Sequence, residues 1–150
     1  MLKLHPDIAT SYHNIGLAWS DKGEKDKALN SYQKCLEMQL KILEEDHPDL
    51  VTSYFNIGDT FSKINQFESA IENFKKAFEI EKKGSIPFEI AQCYEALNEK
   101  EKALTYYIQA AEIRKERIGL EDQATQESIS NALRIAKELG KEGELPEWMI

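Results

Sequence analysis

An all-α solenoid is the fold class this sequence predicts: about seven helices, paired antiparallel. Three observations predict it. The stretch Asp7-Ile8-Ala9-Thr10-Ser11-Tyr12-His13-Asn14-Ile15-Gly16 returns 42 residues later as Asp49-Leu50-Val51-Thr52-Ser53-Tyr54-Phe55-Asn56-Ile57-Gly58, each copy preceded by His-Pro (His5-Pro6, His47-Pro48). Small and aromatic residues then follow in the same order behind each copy: Trp19 and Phe61, Ala28 and Ala70, Tyr32 and Phe74, Cys35 and Ala77. Spacings of three, four and seven place each set on one helix face. Finally, Ala, Glu, Lys and Leu dominate, while Gly and Pro fall mostly at the boundaries between these sets. A fixed period of about 20–50 residues marks units that bury their apolar faces by stacking on neighbours.

The elements follow in order. First helices are expected near 7–21, 49–64, 86–97 and 121–139, and second helices near 25–45, 67–83 and 100–117. Asp21-Lys22-Gly23-Glu24 and Lys63-Ile64-Asn65-Gln66 supply the turns inside the first two units. Pro6, Pro48 and Pro87 sit in first turns, where a missing N–H costs little. Asp7 and Asp49 beside them suit the positive end of the helix dipole, and Ser85 is placed to cap the third unit. That unit, with Ala91, Tyr94, Ala103, Tyr107 and Ala110 at the repeat positions, lies 33 residues beyond the second. A partial fourth carries Ser128, Asn131, Leu133, Ala136 and Gly140.

The expected organisation is one domain over 1–150: repeats near 7–45, 49–83 and 86–117, a partial repeat 121–140 and a C-terminal cap 141–150. Trp148, Met149 and Ile150 are expected to cover the last helix at Ile129, Leu133 and Ala136, with docking of the tail on a partner as the other reading. The N-terminal residues resemble an inter-repeat linker, so the chain also reads as the C-terminal piece of a longer solenoid.

This pattern resembles the tetratricopeptide repeat family, in three copies over roughly 8–117 and on one helix of a fourth, and the resemblance implies a right-handed superhelical solenoid. The 42-residue spacing with His-Pro-Asp before the first helix resembles the long-repeat variant found in kinesin light chains. The third unit departs from it, with Ser85-Ile86-Pro87 in place of His-Pro-Asp.

The resemblance implies a non-catalytic scaffold for protein–protein interaction that binds an extended peptide or protein segment in a concave groove lined by the first helices. The groove residues on this reading are His13, Asn14, Phe55, Asn56, Asp59, Phe88, Gln92, Asn131 and Arg134. Asn offers two donors and an acceptor, which suits the backbone amide of any extended ligand, and the matching asparagines of kinesin-light-chain-like repeats have that role. Bridging of neighbouring helices, or simple hydration, is the other reading for the asparagines. Phe55 and Phe88 are candidate side-chain pockets or contacts between adjacent repeats. An alternative function is an oligomerisation or assembly module, its groove filled by its own tail or a neighbouring chain. Self-association through the tail or an exposed solenoid end belongs to that reading.

Other chemistry is disfavoured. His-Pro-Asp is also the tripeptide of J-domain co-chaperones, but here it occurs twice, at the repeat period, where a helix must start. The carboxylate clamp of co-chaperone repeats of this class needs basic residues and asparagines at the places that here hold His13, Leu17, Asn56, Ser85 and Glu89; only Asn56 fits, and Glu89 would repel a carboxylate. Net charge of −8 argues against a nucleic-acid surface, and no apolar run reaches the ~18 residues of a membrane span. His5, His13, His47, Cys35 and Cys93 lack zinc-ligand spacing, and no phosphate loop or nucleophile elbow occurs. No cofactor and no metal are expected. Unpaired buried cysteines fit a reducing compartment, and the expected location is the cytoplasm.

Overall fold

The structure is a computed structural model that describes residues 6–150. His5 of the first His-Pro pair, like the linker residues before it, lies outside the described residues. Seven α-helices and no strands are found among them: α1 (Pro6–Asp21), α2 (Lys25–Ile42), α3 (Pro48–Lys63), α4 (Phe67–Ile80), α5 (Ser85–Ala96), α6 (Lys100–Ile118) and α7 (Gln123–Leu139). Two short 3-10 turns, Glu142–Glu144 and Glu147–Met149, follow. The helices form two compact units, one through Glu81 with α1 to α4, the other from Lys82 with α5 to α7 and the tail.

In the first unit α1 packs on α2, α2 on α3 and α3 on α4. The closest approaches lie at the repeated small residues. A Cβ placed on Gly16 would sit 2.5 Å from the Tyr32 ring, and one on Gly58 would sit 2.9 Å from the Phe74 ring. Ala28, Ala70 and Ala77 are fully buried, and Cys35 nearly so. Glycine is therefore the residue that lets an aromatic ring of the second helix lie flat against the backbone of the first. Ile57 joins Ala28 and Tyr32 in one apolar cluster, with Trp19, Leu29, Leu36 and Phe61 packed around it.

The turns inside the repeats share one geometry. Gly23, Asn65 and Asn98 all have positive φ, at 78°, 62° and 59°. In each, the next residue's N–H returns to a carbonyl five back: Glu24 to Trp19, Gln66 to Phe61 and Glu99 to Tyr94, all at 2.9 Å. This is a left-handed C-terminal cap, which glycine and asparagine tolerate best. Gly140 repeats it after α7, with Lys141 N–H on the Ala136 carbonyl at 2.8 Å.

Four expectations are corrected at the ends of elements. α2 stops at Ile42 rather than 45 and α4 at Ile80 rather than 83, because Leu43 and Glu81 turn to extended backbone. Ser85 does not cap α5: it is the first helical residue, Gly84 holds the cap position, and no side chain closes it. α3 and α7 are capped by His47 and Asp122, whose side chains accept from the N–H groups of Asp49 (3.1 Å) and Ala124 (2.8 Å). In the tail Leu145 and Met149 are buried, but Ile150 is 81% exposed and so covers nothing. Trp148 is half-buried, with the Lys115 ammonium 4.3 Å from its ring centre.

The second unit is tied together by charge as well as by packing. Arg134 of α7 grips Glu95 of α5 with both ends of its guanidinium, Nη1 to Oε2 at 2.8 Å and Nη2 to Oε1 at 2.9 Å. Tyr107 of α6 donates its hydroxyl to the same carboxylate at 2.8 Å. The Arg134 bonds hold the Glu95 carboxyl below the usual range against the opposing effect of burial. Burial pushes the Tyr107 phenol up. Lys100 pairs with Glu138 at 3.0 Å, linking α6 to α7 again.

Ala70→Leu should overpack the α3–α4 contact and lower stability by about 1–3 kcal/mol; a urea melt matching wild type would refute the proposed register. Deleting residues 145–150 removes Leu145 and Met149, each worth about 1.5–3 kcal/mol when buried. Amide exchange should then speed up in residues 123–139 first, and unchanged protection there would show the tail contributes nothing to α7. Glu95 has a lowered folded pKa, so its contribution is present above the unfolded value of about 4.3 and lost as pH falls through the folded one. The melting-temperature gap between wild type and Glu95→Gln should be widest at pH 7 and close below pH 4. A gap that stays constant with pH would mean that ionisation of Glu95 is irrelevant to stability.

Candidate functional site

The expected groove residues divide between the two units. In the first, α1 and α3 each present an asparagine from the repeated stretch. Asn14 is exposed and Asn56 half-buried, and neither side chain has a hydrogen-bond partner among the described residues. Beside them lies a hollow of about 200 Å³ lined by Thr10, His13, Cys35, Gln39, Asp49, Thr52 and Ser53. Its wall is polar. Ser53 donates its hydroxyl to the Gln39 side-chain oxygen, which leaves the Gln39 amide nitrogen without a partner among the described residues. Cys35 lies 3.8 Å from the Ser53 hydroxyl. Burial pushes the Cys35 thiol up, which favours its protonated form.

The aromatic positions are not open pockets. His13 lies 5.9 Å from Tyr32, Phe55 5.2 Å from Phe74 and Phe88 5.4 Å from Tyr107, ring centre to ring centre. Each pair joins the two helices of one repeat, at the same register in all three. Phe88 is 6% exposed, hence core rather than ligand surface. Phe55 and His13 are half-buried and keep one edge outward. The contact expected between adjacent repeats is thus a contact within each repeat. Asp59 is paired with Lys63 one turn on at 2.7 Å, so its charge is compensated.

In the second unit an open hollow of about 470 Å³ is lined by Gln92, Glu95, Ala96, Tyr107, Asn131 and Arg134. Gln92 is exposed toward it. Asn131 differs from the other two asparagines: its amide donates to the Glu127 carbonyl at 2.9 Å and its oxygen accepts from Arg134 at 2.9 Å. Arg134, expected in the groove, is engaged with Glu95, and at 3.4 Å with Glu138. Bonding to Glu95 raises its pKa further. Among the described residues no cluster of three or more His, Cys, Asp or Glu is arranged to hold a metal. No helix there is long and apolar enough to cross a membrane.

Gln39 and Ser53 were not singled out by the sequence. Ser53 had a signal, since it repeats Ser11. Gln39 had none: one period on stands Glu81, and only the fold places Gln39 beside Ser53.

The sequence pattern of the tetratricopeptide repeat family matches residues 7–83, and that of "Regulator of microtubule dynamics protein 1-3" matches residues 58–137. No curated protein sequence matches the chain significantly. Similar solved structures include a kinesin-light-chain candidate from Podosopora anserina with nearly identical TPR-like repeats (20% identity, 96% of this chain, 72% of that one, TM-score 0.79). BtubC from P. vanneervenii matches at 18% identity and TM-score 0.82, over all of this chain and 63% of its own. The type III secretion chaperone SycD of Yersinia enterocolitica, in complex with a peptide of the translocator YopD, matches at 15% identity and TM-score 0.76, over 94% of this chain and 100% of its own. At these identities the likeness is one of fold. Since the repeat pattern covers just over half of the sequence, and the small-to-aromatic contacts recur at its period, the chain belongs to the tetratricopeptide repeat family.

Proposed function

We propose that the chain is a non-catalytic scaffold that holds an extended protein segment along its first helices, with Asn14 and Asn56 bonded to the ligand backbone. The observation that carries this reading is their pairing: identical amides at one register, one repeat apart, neither satisfied within the described structure. An amide that neighbours do not satisfy is free to donate to and accept from an extended backbone, whatever its side chains. The polar hollow beside them, with the Gln39 amide nitrogen, the Thr52 hydroxyl and the His13 ring, suits a short polar ligand side chain. SycD with its YopD peptide, and PcrH with the chaperone binding region of PopD, are peptide-bound proteins of this fold and support the reading by analogy. In the second unit, Gln92 is exposed toward a hollow of its own. Asn131 and Arg134 contribute there only after giving up internal bonds, and Phe88 does not contribute.

The assembly reading is favoured by one observation. Ile15 of α1 is 46% exposed, whereas Ile57, its counterpart in α3, is 2% exposed because α2 covers it. The exposed face of α1 suits a further helix, whether of this chain or of another. In the second unit no tail residue lines the hollow at Gln92 and Asn131.

Panning a library of random linear peptides on the monomeric protein tests the first reading against the second. Selected peptides should bind the Asn14→Ala/Asn56→Ala variant roughly tenfold or more weakly, as expected for loss of a few hydrogen bonds of about 0.5–1.5 kcal/mol each. Its melting temperature should stay within a degree or two of wild type. Equal binding by the variant, or a large loss of stability with binding intact, would make these asparagines structural.

A further inference from the structure

Outside the groove, the second unit gathers positive charge in one place. Lys83, ahead of α5, and Arg114 and Arg117, at the end of α6, surround a hollow of about 290 Å³ completed by Gly84, Ser85, Ile118 and Ala124. A chain with net charge −8 has 19 basic residues, and three of them converge here from two segments. Gly84 makes the convergence possible. A Cβ there would stand 2.6 Å from Arg114 Cγ and 3.1 Å from the Ala110 carbonyl, so only glycine brings the start of α5 this close to α6.

The three cations are held differently. Arg114 is fixed: Nη1 donates to the Ala124 carbonyl at 2.8 Å and to the Ser128 hydroxyl at 2.7 Å, and its guanidinium lies 4.6 Å from the Phe88 ring centre. Glu127, Glu89 and Asp122 act on it electrostatically, yet none of them lines the hollow. Arg117 is exposed and makes no ion pair among the described residues. Next to it Ile118 is 52% exposed and Leu120 38%. A rigid cation, an uncommitted one and an apolar step therefore adjoin one another.

We propose that this hollow is a second docking site, for a short protein segment in which carboxylates alternate with aliphatic side chains. Arg117 meets the carboxylates, Arg114 forms the positive floor, and Ile118 takes the aliphatic residue. The apolar share of the wall favours such a segment over a free inorganic anion. The small extent of the patch in an otherwise acidic chain disfavours a nucleic acid, whose binding needs many phosphate contacts. Within the second unit the site shares no lining residue with the hollow at Gln92 and Asn131.

The test uses a fluorescein-labelled peptide of alternating Glu and Leu, read by anisotropy on the full chain. Binding should weaken steeply between 50 and 300 mM salt, by roughly tenfold in Arg117→Gln, and be lost when Gln replaces Glu in the peptide. Arg117 is exposed, so the variant should melt with wild type, which separates lost binding from lost fold. Selected groove peptides should bind Arg117→Gln normally. The proposal is overturned if the Gln–Leu peptide binds as well, if Arg117→Gln binds undiminished, or if millimolar inorganic phosphate displaces the peptide completely.

Discussion

The contact between a residue without bulk and a ring is the constraint on which the repeats depend. At Gly16 and Gly58 the backbone of a first helix touches the ring of Tyr32 or Phe74 so closely that a methyl group would collide with it. That approach sets the separation of the two helices, and with it which residues of the first helix remain outside the packed face. Asn14 and Asn56 stand two residues before these glycines, about 200° around the helix axis at 3.6 residues per turn. The same contact that buries one face of α1 and α3 thus turns the asparagines away from it. In the third unit alanine replaces glycine at Ala91, still fully buried, and Tyr107 keeps the aromatic place.

The second unit adds a different restraint. Its last helix lacks a paired second helix, and the two-pronged bond between Arg134 and Glu95, backed by the Tyr107 hydroxyl, joins α7 to both α5 and α6. Such a bond fixes geometry as well as adding energy, because the guanidinium fork accepts a carboxylate in one orientation. The side chains one would assign to ligand capture from their place on the helix are thereby drawn into holding the helix itself.

Much of the fold was legible because its signals are local and repeated. Seven helices, their turns and the buried small residues all follow from spacing along the chain, and Gly23 and Asn65 marked turns that do adopt positive φ. The ends of α2 and α4 were overestimated since Leu43 and Glu81 are ordinary helix formers by type, yet both have extended backbone. The site was less legible. Periodicity says which face a residue occupies but not what stands opposite. Hence Phe88 read as a groove residue and is core, Arg134 read as free and is bound, and Asp59 read as available and is paired with Lys63. The cations at Lys83, Arg114 and Arg117 gave no motif at all, being up to 34 positions apart in the chain.

Each unit also contains one buried thiol, Cys35 in the first and Cys93 in the second, both 1% exposed. Each shows a reagent in solution almost no surface until its own helices part. The rate at which each is alkylated under native conditions therefore counts openings of the unit that encloses it. Nature has in effect placed a separate clock in each half of the protein, and comparing the two would show whether the halves breathe together or apart without adding any label.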